Sequence, residues 1–180
     1  MERKWVKSIA IGKQMIVSFH SSHLSFYCRK STMNEEEKVV SRNKLEQDGE
    51  VVLFEGKPFS GVRIDSYENV QKSGEGHFKH GKEEGLHTEW YENGQKELEG
   101  QYKDGKEEGL HTSWYENGQK AGEEHYKNGK GDGLTTIWYK SGKKNVEKYY
   151  KNGKEDGFWI EWDEDGRKTF EEIFKNGLEQ

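Results

Sequence analysis

Two stretches of the 180-residue chain, GHFKHGKE at 76–83 and GQYKDGKE at 100–107, carry the glycine and lysine spacing of a phosphate-cradling loop. Such a loop needs a Ser or Thr after the lysine to hold magnesium, and a strand-to-helix junction to aim its amides. Glu83 and Glu107 stand there instead, and His80-Gly81 and Asp104-Gly105 read as hairpin turns. No nucleotide site is expected. His87 and His111 occupy one column of a repeat, two strands or about 9–10 Å apart. Zinc needs its donors about 2 Å from a common centre, so the two cannot share a metal. His77 and His80 are closer, but no further ligands accompany them, and the histidines are expected at the surface. The acidic pairs Glu83-Glu84, Glu107-Glu108 and Glu155-Asp156 could serve glycoside hydrolysis only inside a cleft that holds a sugar between them. Recurring at every hairpin edge, they read as solvated edges. These residues predict no catalytic group, no metal and no cofactor.

The aromatic residues are harder to set aside. Trp90, Trp114, Trp138 and Trp162 form one column at 24-residue spacing. Tyr67, Tyr91, Tyr115 and Tyr139 form the next, which Asp163 breaks, and Phe78, Tyr102, Tyr126, Tyr150 and Phe174 form a third. Rings in such columns can pack the sheet itself, or hold a partner chain as binding hot spots do. The last unit adds Phe158, Trp159, Ile160, Phe170, Ile173 and Phe174. A terminal repeat is ordinarily more polar, because one side lacks a neighbour. An apolar one points to docking or self-association. The partner-binding candidates are therefore Trp90, Trp114, Trp138, Trp162, Phe158, Trp159, Ile160, Phe170 and Phe174.

What must position these residues is legible from the glycines. Only 29% of residues are hydrophobic and 35% are charged, which alone would suit a disordered chain. Against that stand 13% aromatic residues and 22 glycines with a single proline. Gly61, Gly85, Gly109, Gly133 and Gly157 each open a unit of 24 residues, five in all over 61–180. Within them Asn-Gly, Asp-Gly and Ser-Gly pairs place turn glycines at Gly94, Gly105, Gly118, Gly129, Gly142, Gly153, Gly166 and Gly177, spaced alternately by 11 and 13 residues. Asn-Gly and Asp-Gly supply the two positive φ angles of a type I′ hairpin turn. The segments between are rich in aromatic and alternating residues, as strands are.

The chain is thus expected to be all-β, an elongated single-layer antiparallel meander of tandem hairpins. Ten strands would span about 45–50 Å. A two-residue turn at Asn93-Gly94 sets Tyr91 opposite Lys96 and Trp90 opposite Glu97. One face then carries Leu86, Thr88, Trp90, Glu97, Glu99 and Gln101, and the other His87, Glu89, Tyr91, Leu98, Gly100 and Tyr102. Gly100 leaves room for a ring crossing the backbone. Val70 stands where a turn glycine belongs, so the first turn is expected to be distorted.

Residues 38–60 read as an opening segment with a half-repeat hairpin, and residues 1–37 as a poorly structured tail or a degenerate leader. Residues 1–32 carry six basic residues and one acid, leaving about −10 of the total −5 charge on the rest. An acidic array is a poor match for phosphate backbones or anionic headgroups. Nucleic acid is excluded as a partner on that ground, and membrane association is disfavoured. Cys28 is the sole cysteine. It follows a basic start and a loosely apolar run, in the order of a lipoprotein leader. Lys13, Gln14, His20 and His23 interrupt that run, and Phe26-Tyr27 sit where small residues belong. A cytoplasmic location is favoured; a working leader at 1–28 would make the chain a cell-envelope lipoprotein.

The recurring YxNGK…G…WYxNGQK pattern, closest over 85–156, resembles the MORN repeat in its bacterial variant form, grouped as the YwqK-type antitoxin family. GKPFSGV at 56–62 and VVSRNKL at 39–45 resemble the lead-in of such proteins, so the likeness covers roughly 38–180. The resemblance implies a twisted antiparallel sheet, a binding role with a protein partner that would be a toxin, and no catalytic residues to carry over. The alternative it leaves is a peripheral, phospholipid-associated protein.

Overall fold

Paired turn residues and alternating segments make successive hairpins the cheapest way to pair this backbone, because each strand finds its neighbour across only two or three residues. The computed structural model describes residues 37–180; the leader, Cys28 and all of the tail but Glu37 lie outside the described residues. Ten strands form the five hairpins: β5 (Gly61–Ser66), β6 (Lys72–Lys79), β7 (Lys82–Trp90), β8 (Lys96–Lys103), β9 (Lys106–Trp114), β10 (Lys120–Lys127), β11 (Lys130–Trp138), β12 (Lys144–Lys151), β13 (Lys154–Trp162) and β14 (Lys168–Lys175). They lie side by side in chain order. The short β15 (Leu178–Glu179) adds antiparallel to β14, and β1 (Val39–Ser41) adds to β5 in parallel, completing a 12-stranded sheet.

The opening segment departs from a single layer. After β1 and a 3₁₀ turn at Arg42–Lys44, strands β2 (Glu46–Asp48), β3 (Val51–Phe54) and β4 (Lys57–Pro58) form a separate three-stranded sheet. Beneath it Val40, Phe59 and Phe78 are buried, with Leu45, Val52 and Phe54 packed against them. Backbone bonds Val52 N–H to Gly81 O (2.8 Å) and Gly81 N–H to Phe59 O (2.7 Å) join this small sheet to the first unit.

The two sets of turns differ. Asp104-Gly105, with φ of 52° and 80°, has the two positive angles of a type I′ turn, and Asn128, Asn152 and Asn176 repeat it. At Asn93-Gly94 only the glycine has positive φ, 82°. Gly94 N–H donates to Tyr91 O and Tyr91 N–H to Gln95 O, each at 2.9 Å. That is a three-residue loop ending in a left-handed glycine. It places Trp90 opposite Lys96, correcting the expected pairing with Glu97; beyond this bulge the expected register holds, with Thr88 opposite Glu99. A second irregularity recurs where units two to five open: Glu124 pairs Thr135 and Tyr126 pairs Gly131, so Asp132, Gly133 and Leu134 bulge opposite His125.

The first turn is not distorted. Val70 takes the glycine's place at φ 62°, and its hydrogen bonds, Val70 N–H to Tyr67 O and Tyr67 N–H to Gln71 O, match those at Gly94. The side chain is 87% exposed and buys no packing for that conformation. The left-handed region costs an L-residue about 1–2 kcal/mol, whereas glycine's larger unfolded-state entropy returns about 0.5–1 kcal/mol. Val70→Gly therefore raises the unfolding free energy by up to about 1.5 kcal/mol, read as a higher denaturant midpoint at constant slope. A fall in that midpoint would contradict this account of the turn.

Candidate functional site

Directly opposed residues share a face, so the register sorts the side chains. One face holds the histidine column. His87, Tyr102, His111 and Tyr126 stack edge-on, with ring centroids 5.5, 5.3 and 5.0 Å apart along the series. His87 and His111 are only 6% and 7% exposed, which corrects the expectation of surface histidines. The signal was present in the glycines: a Cβ on Gly100 would meet His111 Nδ1 at 2.2 Å, and one on Gly76 would meet His87 Nδ1 at 3.2 Å. Each histidine ring occupies the space over a glycine one strand back, as was expected of Gly100.

His87 also lies between two carboxylates, with Nδ1 3.2 Å from Glu83 and Nε2 3.1 Å from Glu89. Burial alone would lower its pKa, but the two flanking carboxylates, Glu83 and Glu89, outweigh burial and raise it. Burial likewise pushes Glu83 up, and is outweighed by His87 and Arg63, so its carboxyl titrates lower than usual. Arg63 extends the network, 3.7 Å from Glu83 and 3.2 Å from Asp65. The tyrosines move up, opposite to Glu83: burial, aided by Glu83 and Glu107, pushes Tyr102 up to about 12. These phenols keep their protons and act as packing surfaces and donors. An open cleft of about 390 Å³ beside Arg63 and Phe78 is walled by Lys82, Lys106, Glu50 and Glu83, so cations and acids both line it.

The opposite face carries the tryptophans. Trp90, Trp114, Trp138 and Trp162 are half-buried, and their backbone carbonyls accept the hydroxyls of Tyr67, Tyr91, Tyr115 and Tyr139 at 2.6, 2.7, 2.6 and 2.8 Å. Each tyrosine thus reaches 23 residues ahead and ties one unit to the next. Lys72 lies 4.3 Å over Trp90 and Lys96 5.7 Å over Trp114; the same lysines pair with Glu75 and Glu99. The acidic pairs join units as well. Glu84 and Glu108 accept the turn amides of Asp104 and Asn128, each at 2.9 Å, so they are bonded as well as solvated.

The last unit divides its apolar residues between the faces. Trp159 takes the histidine position and packs on Phe170 (5.5 Å) and Phe174 (5.4 Å), under Lys148 at 3.7 Å. Phe158, Ile160, Trp162 and Ile173 are on the tryptophan face. There an outer row runs across the strands, with Leu86, Leu110, Tyr149, Phe158 and Ile173 at 38, 44, 41, 36 and 54% exposure.

The array and its two worked faces define a tandem β-hairpin repeat protein. Residues 83–104, 107–128 and 131–153 match the family model described as the MORN repeat variant. Repeats of this kind generally serve as protein- or membrane-interaction modules. No curated protein matches the chain.

Proposed function

We propose that the chain is a non-catalytic interaction module that presents the tryptophan face to a protein partner, in the manner of an antitoxin or immunity protein. The observation that carries this is the outer apolar row on that face. It grows from leucines separated by Gln101 and His125 into an unbroken run of Leu134, Tyr149, Phe158 and Ile173. Contiguous exposed apolar surface is the mark of a docking site, and aromatic residues dominate binding hot spots. The toxin-binding form rests on the family resemblance. The membrane reading rests on the same resemblance, and the acidic balance of the array counts against it.

Capture from native lysate with the full chain, at low and high salt, tests this against a Phe158→Glu/Ile173→Glu variant of unchanged thermal stability. The proposal expects one stoichiometric protein that survives high salt on the parent and is lost from the variant. Equal retention by both would move the partner off this face. No protein, with anionic vesicles bound only at low salt, would favour the membrane reading instead.

A further inference from the structure

The repeat is broken at three positions around the junction of the third and fourth units, and all three meet. Thr135 stands in the column of His87 and His111, Gly131 in that of Glu83 and Glu107, and Glu124 where Gly76 and Gly100 make room for a ring. Glu124 is directly opposite Thr135 in the register. Large and small have changed places across the strand pair, and the histidine is gone from between two tyrosines. What remains is a hollow of about 160 Å³ lined by Glu124, Tyr126, Gly131, Thr135, Tyr150 and Gly153.

Its chemistry is specific. Glu124 Oε2 accepts the Tyr126 hydroxyl at 2.9 Å, which holds the carboxylate in the hollow; Oε1 takes no hydrogen bond among the described residues. Tyr150 lies against Gly131, whose missing side chain opens the wall; a Cβ there would touch the ring at 3.4 Å. A fixed carboxylate between two aromatic rings attracts a flat cation, through a charge-assisted hydrogen bond and the ring faces together. Lys148, the cation opposite Thr135, is engaged elsewhere, 3.7 Å over the Trp159 ring. That contact shows the neighbouring unit already pairing a cation with a ring in the same row. The acidic balance of the array adds attraction at longer range.

We propose that this hollow is a receptor for a guanidinium group, the head of an arginine side chain on the partner. The vacated space suits a planar group the size of the imidazole it replaces, and arginine stacks and bonds in one plane where lysine offers a point charge. The site is on the histidine face, so a partner engaging it as well as the tryptophan face must reach round an edge of the sheet. The assignment of the arginine to a partner rests on the interaction reading above; the affinity for guanidinium does not.

Titration of the full chain with N-acetyl-arginine amide, followed by NMR at the Tyr126 and Tyr150 rings, tests it. Saturable shifts are expected, weakened about tenfold in Glu124→Gln, which retains an acceptor for Tyr126 but loses the charge. The isosteric but neutral N-acetyl-citrulline amide should give none. A second variant, Glu124→Gly/Thr135→His, rebuilds the ring of units two and three and should abolish the shifts in a folded chain. Equal shifts with citrulline, or in Glu124→Gln, would overturn the site. A captured protein that binds Glu124→Gln as well as the parent would keep the interaction reading and reject arginine at this hollow.

Discussion

Phe59→Ala lowers the unfolding free energy by about 3–5 kcal/mol, the range for truncating a buried aromatic ring. Phe59 is 2% exposed and is the largest fully buried side chain among the described residues. Its ring sits 6.3 Å from Phe54 and 5.7 Å from Phe78. Nothing nearby can collapse into the void without breaking the bonds that dock the small sheet, since Phe59 N–H donates to Val52 O and Phe59 O accepts from Gly81. In a repeat array stability is a sum of units and nearest-neighbour interfaces, so the loss should concentrate at this end. Hydrogen exchange at Val52 and Gly81 is expected to accelerate far more than at Thr112 or Thr136. Uniform acceleration would mean that the units unfold as one.

Gly100→Glu costs about 2–4 kcal/mol, combining overpacking with loss of the His111 contacts to its two tyrosines. The substituted Cβ alone would overlap the His111 ring, 2.2 Å from Nδ1. Adding His111→Thr should recover about half of that loss, because the pair then copies Glu124 and Thr135, and the new carboxylate can accept the Tyr102 hydroxyl as Glu124 accepts that of Tyr126. The coupling between the two changes, about 1–3 kcal/mol, is measured by a double-mutant cycle in urea. Additive losses would show that the two arrangements are not interchangeable.

The repetition made the meander legible: turn glycines, strand lengths and the Thr88–Glu99 register follow from comparing one unit with the next. Asn93-Gly94 misled by one residue. An Asn-Gly pair serves either a type I′ turn or the last two positions of a three-residue loop, and the bond from Gln95 N–H to Asn93 Oδ1, which goes with the longer loop, is invisible in the sequence. The histidines misled because their polarity suggests solvent, whereas their burial is decided by glycines that are distant in the chain and adjacent in the sheet. The parallel β1 and the covering sheet β2–β4 occur once, so no second copy exposes their pattern. The hollow at Glu124 became legible only when three broken columns were found touching.

The tyrosine hydroxyls that each reach the carbonyl of the following tryptophan have a mechanical meaning. Tension applied between the two edges of the sheet loads one hairpin at a time, because the strands lie across the pull and their bonds open as a zipper. Each unit released would add about 80 Å of slack, the contour of 24 extended residues. The phenol bond sits at the bulged turn, where the strand pairing is irregular, so it is a rivet at the weakest stitch. Under load such a ribbon would yield in equal steps, paying out length while the remaining units keep their shape.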